Sequence, residues 1–416
     1  MSSKDVAATR TTPSATRGPG FVDYLFDKAL FRPLEGAISR TTAGRLMVTL
    51  PSGRNIVVGP ADRDVAGELV LKNYWILAKL LARGQLGFAD SYMAGDVDTD
   101  CLLRLFNYYM DSEQALSATI PSLIRSGWVD RLFHLQRANT PAGSRRNIAA
   151  HYDLGNEFYR LWLDPSLTYS SGIYTSPDAP LEVAQEEKYN RILSALELSA
   201  DHNLLEIGCG WGGFAVAAAT RGATVTGITI SEQQFQEATA KIMRRGLVHR
   251  ARIRLEDYRE TGGAFDRIAS IEMIEAVGEQ NWPVYFRSIA DRLTPGGVAV
   301  IQAITIREEL YDSYRRNPDF IQRYIFPGGM LPTGTAMRRH AESVGLRFET
   351  LETFGSSYAL TLRDWRQRFD QAWPRIETLG FDERFRRMWS YYLTYCQVGF
   401  ERGAIDVGLH RLIKPC

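Results

Sequence analysis

The stretch best equipped for chemistry is Leu204 to Phe214, Leu-Leu-Glu-Ile-Gly-Cys-Gly-Trp-Gly-Gly-Phe, an apolar run that breaks into glycines before apolar residues resume. Glycines at 208, 210 and 212 let the backbone bend tightly and approach a ligand with no Cβ in the way, while Glu206 leaves one acid near the end of the apolar run. The stretch reads as a cradle for a nucleotide-bearing ligand. Two spacings are satisfied at once, and they imply different ligands.

Gly208, Gly210 and Gly213 fit the G-x-G-x-x-G of dinucleotide enzymes, in which a pyrophosphate rests on a helix N-terminus. Glu206, Gly208, Gly210 and Gly212 fit E-x-G-x-G-x-G, a loop used for S-adenosylmethionine (SAM), where no pyrophosphate exists and the acid faces a cationic amino acid moiety. Roughly 20 residues beyond the first glycine, NAD enzymes and many SAM enzymes place an acid on the ribose hydroxyls. Here Thr229 holds that place, in Gly-Ile-Thr-Ile-Ser-Glu-Gln-Gln, with Gln234 following. This argues against NAD and leaves two neutral hydrogen-bonding groups.

Such a cradle needs a strand to deliver it and a helix to receive it. After Phe214, strand-like runs at 223–228, 251–255, 267–271 and 297–302 alternate with helical patterns at 232–244 and 282–293. The alternation predicts an α/β doubly wound, Rossmann-like domain with a largely parallel sheet. Ligands of such sheets bind beyond the carboxyl ends of the strands, so Glu206, Thr229, Asp257, Glu275 and Gln302 are expected around one crevice.

At 416 residues the chain suggests two domains. Residues 1–20, rich in Ser, Thr, Gly and Pro, read as a disordered tail, and 21–125 as a smaller α+β domain. In that domain Arg45–Leu50 and Asn55–Val58 flank Pro-Ser-Gly-Arg as a hairpin, and Glu68–Leu81 is expected to be a buried helix. A linker at 126–146 precedes the domain at 147–416. The aromatic segment around Phe158, Tyr159 and Trp162 is either a lid over the cradle or a packing helix, and the helical aromatic run from Phe385 to Phe400 either lines an acyl channel or is core, with core the favoured expectation.

Lys and Arg total 49 against 48 Asp and Glu, a net charge of +1, which provides no global basic field for nucleic acid. Cys101, Cys209, Cys396 and Cys416 form no C-x-x-C pair, so neither zinc nor a disulfide framework is expected, and a reducing cytoplasm suits them. No uninterrupted apolar run approaches the roughly 18 residues of a membrane span.

The blocks HYDLGNEFYRLWLDPSLTYSS, LLEIGCGWGGFA, VTGITISEQQ, EMIEAVG, RYIFPGGMLPT and FGSSYALTLRDWRQRF follow one another over residues 151 to 369. In order and spacing they resemble the cyclopropane-fatty-acyl-phospholipid synthase family, which includes the mycolic acid cyclopropane synthases. The resemblance implies a class I SAM methyltransferase domain, with a small lipid-binding unit ahead of it. It further implies that Tyr169, Ser170, Gly208, Thr229 and Gln234 contact SAM, that Asp257 and Tyr258 lie near its adenine, and that Glu275 and Tyr358 surround the reacting carbon. In that family a bicarbonate ion is held by a Cys, a Glu, a His and a Tyr. This sequence keeps Glu275 and Tyr358 but has Ser171 in place of the Cys and Gln302 in place of the His.

The reaction so implied is methyl transfer from SAM to the double bond of an unsaturated acyl chain in membrane phospholipid, closing a cyclopropane ring. A fatty-acyl methyltransferase that leaves a methyl or methylene branch is the alternative. A lipid-binding protein with an inactive methyltransferase domain is a remote third. Attack by an alkene leaves a carbocation, for which Tyr358, Tyr324, Phe326 and Glu275 are the expected neighbours. Peripheral contact with the inner membrane surface and a homodimer are further implications. Arginine pairs at 145–146, 244–245, 315–316, 338–339 and 386–387 are the candidates for meeting anionic head groups.

Overall fold

Arg45–Thr49 (β1) and Asn55–Val58 (β2) pair antiparallel across the Pro51–Arg54 turn, with Leu46 opposite Val58. These belong to a computed structural model that describes residues 44–119 and 154–416; the expected tail and linker lie outside the described residues. The expected helix at 68–81 is two elements instead. Val65–Leu71 is a strand (β3) lying parallel to β1 inside a four-stranded sheet, and helix α1 begins only at Trp75, running Trp75–Met93. The β-branched and alternating character of Val-Ala-Gly-Glu-Leu-Val-Leu prevails over its helical spacing. Asn73 then breaks the chain, its side-chain oxygen accepting from the Trp75 N–H at 3.0 Å. Val97–Asp98 (β4) closes the sheet and Leu102–Thr119 (α2) follows.

The second unit is built on a seven-stranded sheet. Asn203–Ile207 (β5), Thr224–Thr229 (β6), Ala251–Leu255 (β7), Phe265–Ile271 (β8) and Leu293–Ile306 (β9) run parallel in the order β9-β8-β5-β6-β7. These are the strands the alternating pattern predicts. Two more extend the sheet through antiparallel pairings: Ile405–Ile413 (β11) lies antiparallel to β9, and Arg347–Thr353 (β10) lies antiparallel to β11 and forms the edge. The layer of helices includes Leu181–Ala195 (α4), which follows the short Asn156–Arg160 (α3), and Gly213–Thr220 (α5). Glu232–Arg244 (α6) starts where Ser231 Oγ accepts from the Gln234 N–H at 3.4 Å.

Phe158, Tyr159 and Trp162 are fully buried against Phe369, Phe385 and Trp389, so this aromatic segment is packing rather than lid. The two units share a core through the long helix Glu383–Glu401 (α7), whose Tyr391 meets Phe106 edge-on at 4.8 Å and Tyr92 at 5.9 Å. Arg387 donates to the backbone carbonyls of Tyr92 and Val97 and lies 4.2 Å from the centre of the Tyr92 ring. Arg402 forms a bidentate pair with Asp111 at 2.6 and 3.0 Å. No helix among the described residues is long and apolar enough to cross a membrane.

Candidate functional site

The carboxyl ends of β5, β6 and β8 open onto a cavity of about 680 Å³, within the range of small-molecule sites. Gly208 and Gly210 line it with φ of 79° and 52°, left-handed backbone that an L side chain resists, whereas Gly212, at φ 79°, does not line the cavity: it caps α5 and packs against Ala238. A Cβ on Gly213 would fall 2.3 Å from the Tyr189 hydroxyl, so this glycine is required for packing of α4 on the loop. Glu206, Thr229, Gln234, Asp257 and Tyr258 line the same end, as do Tyr169 and Ser170.

Within that lining several side chains are already engaged. Thr229 donates to Gln234 Oε1 at 2.8 Å. Asp257 is held by Arg259 at 2.9 and 2.6 Å, so its carboxylate is committed within the chain. Glu206 is 3% exposed, and one of its oxygens, Oε2, has no hydrogen-bond partner among the described residues, an orphaned buried acceptor at the mouth of the glycine loop. Burial raises its pKa to about 8, opposed by Lys188. A cationic ligand group beside Glu206 would reverse that cost, and the bare backbone of the loop leaves room for one. The cradle fits SAM on both counts.

Across the crevice the geometry centres on a residue that the sequence reading passed over. Glu272, directly after β8, accepts from the Ser171 N–H at 2.8 Å and from Gln302 Nε2 at 2.7 Å on Oε1, and from the Tyr358 hydroxyl at 2.6 Å on Oε2. Its φ is 48°, unusual for a non-glycine residue, and its own N–H is tied to the Gln302 carbonyl at 2.8 Å. Burial raises the pKa of the Glu272 carboxyl, and the Tyr358 hydrogen bond, Lys188, the Ser171 N–H and Gln302 pull the other way. Ser171 contributes its backbone only, because its hydroxyl turns to the Gly172 carbonyl. Gln302 is fully buried and does not itself line the cavity.

Glu275, on the one-turn helix Ile274–Val277, does line the cavity but stands outside this network. Its Oε1 accepts from the Ile304 N–H at 2.6 Å and its Oε2 has no partner among the described residues. Burial, reinforced by the neighbouring Glu272, raises its pKa to about 8. Expectation and structure also part at Tyr324, which does not line the cavity and hydrogen-bonds Asp90 of α1. Phe326 does line it, near Tyr169. The signal for Glu272 was available: EMIEAVG carries two acids, and the first stands at a strand's carboxyl end.

Further along, the cavity wall becomes apolar and is shared between the units. Leu69, Leu105, Tyr108 and Tyr109 contribute from the first, Tyr391 and Phe400 from α7. The helix expected to be core thus does both jobs, since Trp389 is buried away from the cavity. The described arginine pairs are largely spoken for: Arg244 with Glu237, Arg315 with Glu279, Arg338 with Glu342, Arg386 with Glu383, and Arg387 in the domain contact. Arg145 and Arg146 lie outside the described residues. No group of His, Cys, Asp and Glu among the described residues is suited to a metal ion.

A glycine cradle at the carboxyl edge of a parallel sheet, with an antiparallel extension, is the architecture of a class I SAM-dependent methyltransferase. The fold is shared with coclaurine N-methyltransferase bound to SAH, at a TM-score of 0.59 and 17% identity over 79% of this chain and 99% of that one. More specifically, the chain belongs to the mycolic acid cyclopropane synthetase family, which it matches over residues 140–409. It is 37% identical over 388 residues to a tuberculostearic acid methyltransferase of Mycobacterium tuberculosis, covering 90% of both chains. To the cyclopropane-fatty-acyl-phospholipid synthase of Escherichia coli it is 35% identical over 362 residues, 85% of this chain and 88% of the relative. The mycolic acid cyclopropane synthase CmaA1, solved with SAH and CTAB, superposes with a TM-score of 0.60 at 30% identity over 65% of this chain and 98% of its own. The protein is therefore a SAM-dependent methyltransferase of this family, and SAM is its methyl donor.

Proposed function

We propose that the chain methylates the double bond of an unsaturated acyl chain in membrane phospholipid and ends the reaction by passing a proton to Glu272, leaving a methylene branch. The observation that carries this reading is the convergence of the Ser171 N–H, Gln302 Nε2 and the Tyr358 hydroxyl on the Glu272 carboxylate. Those are three of the positions at which the sequence resemblance implies a bound bicarbonate. A side-chain carboxylate fills the place of the ion, so bicarbonate does not fit among these residues, and the base is part of the chain. SAM when bound supplies an electrophilic methyl group on a cationic sulfur.

The order of events follows from the atoms. The alkene π pair forms a bond to the methyl carbon as that carbon's bond to sulfur breaks, and the other alkene carbon becomes a cation. A hydride from the newly methylated carbon moves to it, and loss of a proton from the methyl to Glu272 forms the methylene double bond. Glu272 Oε2 has one donor, Tyr358, and keeps a lone pair for that proton. A raised pKa makes its carboxylate the stronger base. The aromatic faces of Tyr169, Phe326 and Tyr358 line the same cavity and tolerate positive charge while excluding the water that would trap the cation. The apolar wall contributed by both units suits a long acyl chain.

Likeness to a tuberculostearic acid methyltransferase supports the branched product. Ring closure is the second reading, supported by likeness to the Escherichia coli synthase. The same base would then take its proton from the methyl before any hydride moves. Incubation with methyl-labelled SAM and vesicles of monounsaturated phospholipid, followed by NMR and mass spectrometry of the released acyl chains, distinguishes the two. A methylene signal is expected, and cyclopropane as the sole product would overturn the first reading.

A further inference from the structure

A lysine is buried beside the reacting centre, and the chemistry described so far makes no use of it. Lys188, on α4, is fully buried, and its Nζ donates to Ser170 Oγ at 2.7 Å. One turn earlier on the same helix, Gln185 donates to the Ser170 carbonyl at 2.9 Å. The next residue, Ser171, gives its N–H to Glu272. The Tyr169–Ser171 segment thus lies between a buried ammonium and a buried carboxylate, anchored to both.

We propose that Lys188 is a positioning residue: its ammonium is the counter-charge that keeps Glu272 ionised in a water-poor site, and through Ser170 it fixes the segment that hydrogen-bonds Glu272. This deepens the reading of Glu272 as the base and rests on it for its catalytic consequence. An isolated ammonium is costly to bury, and a lysine retained at such a place needs acids around it. Three acids act on it. Glu206 faces it from the end of β5, Asp164 from the loop after α3, and Glu272 from the end of β8. Asp164 is partly satisfied by the Ser166 and Thr168 N–H groups, whereas Glu206 keeps an unpaired oxygen. Beyond this ring, Glu275 acts on Glu272, Tyr358 is hydrogen-bonded to it, and Tyr189 lies under the ammonium at 5.0 Å. Burial lowers the pKa of Lys188 to about 7, and Glu272, Asp164 and Glu206 oppose that fall, so the ammonium depends on these neighbours for its charge.

The test reads the proton on Glu272 directly. Infrared difference spectra between each protein and its E272Q counterpart follow the Glu272 carboxylate from pH 5 to 10, alongside kcat on monounsaturated phospholipid vesicles and calorimetric SAM affinity. In K188M the Glu272 midpoint should rise by about one pH unit or more, lowering kcat near neutral pH by roughly tenfold with recovery at higher pH. In K188R, which keeps the charge, the midpoint should stay within about 0.3 units of wild type. SAM affinity should change by less than about threefold in K188M, separating this role from cofactor binding. An unmoved midpoint in folded K188M overturns the proposal. If K188M does not fold, K188R decides, and a rise of about one unit there overturns it. A midpoint that moves while the acid limb of kcat does not would leave Lys188 in its role and remove Glu272 from the chemistry.

Discussion

The Tyr358 hydroxyl donates to Glu272 Oε2 at 2.6 Å, joining the helix Gly355–Glu377 to the end of β8. Tyr358 is itself fixed by a stacked contact with Phe400 at 4.3 Å. A hydrogen bond to an ionised group contributes about 1.5–3 kcal/mol, equivalent to roughly 10- to 150-fold in rate if it is lost only in the reacting state. Tyr358→Phe should therefore lower kcat by that factor and leave SAM affinity close to wild type, as read by steady-state kinetics and calorimetry.

Glu272→Gln removes the base while keeping the shape. Turnover should fall by about 10²- to 10⁴-fold, the usual contribution of a general base, with SAM affinity retained. Comparable loss in Glu275→Gln with little effect in Glu272→Gln, measured by label incorporation into lipid, would assign the role to Glu275 instead.

Glycine at 272 is a different experiment. The φ of 48° costs a glycine little, so Glu272→Gly should fold while leaving the Ser171 N–H, Gln302 Nε2 and Tyr358 hydroxyl facing a vacated space. Added formate or bicarbonate should restore turnover by about tenfold or more over the variant alone, whereas wild type should not respond to either.

Glu275 gives a pH prediction for stability. Its folded pKa, raised to about 8, lies above the ordinary carboxyl value, so the folded state holds a proton that the unfolded chain releases near pH 4.5. The stability associated with that proton is complete below the unfolded pKa and is lost as pH rises through 8. Glu206, raised similarly, acts in the same direction. Thermal melts should show the Tm of wild type falling more between pH 5 and 9 than that of Glu275→Gln.

The contact between units is testable at Arg387. Its bonds to the Tyr92 and Val97 carbonyls and its stacking on Tyr92 are lost in Arg387→Ala, at a cost of about 2–3 kcal/mol. Urea denaturation should report that loss. Turnover of long acyl chains should suffer more than SAM binding, since the first unit lines the apolar part of the cavity.

Much of the second unit was legible because buried parallel strands are continuous apolar runs separated by helical patterns. Strands β5 to β9 and the helix at 232–244 follow the sequence pattern closely. The antiparallel strands β10 and β11 were not read, as Arg347–Thr353 is an edge strand with polar positions and Ile405–Ile413 finds its partners only through long-range pairing. The cofactor half of the site is local in sequence, and its glycines announce it. The reacting half is assembled from positions 171, 272, 302 and 358, on separate elements, and only their packing reveals which of two nearby acids receives the donors. Lys188 was hidden for a related reason. In Glu-Glu-Lys-Tyr it reads as a solvated helix face, whereas its spacing from Leu181, Ala184 and Ile192 places it on the buried one.

The left-handed turn at Glu272 has a physiological corollary. With Glu272 as the proposed base, carried on the polypeptide rather than drawn from solution, lipid methylation would follow the supply of methyl donor and unsaturated chains and be indifferent to dissolved inorganic carbon. An organism carrying it could sustain the modification equally in carbonate-poor and carbonate-rich surroundings.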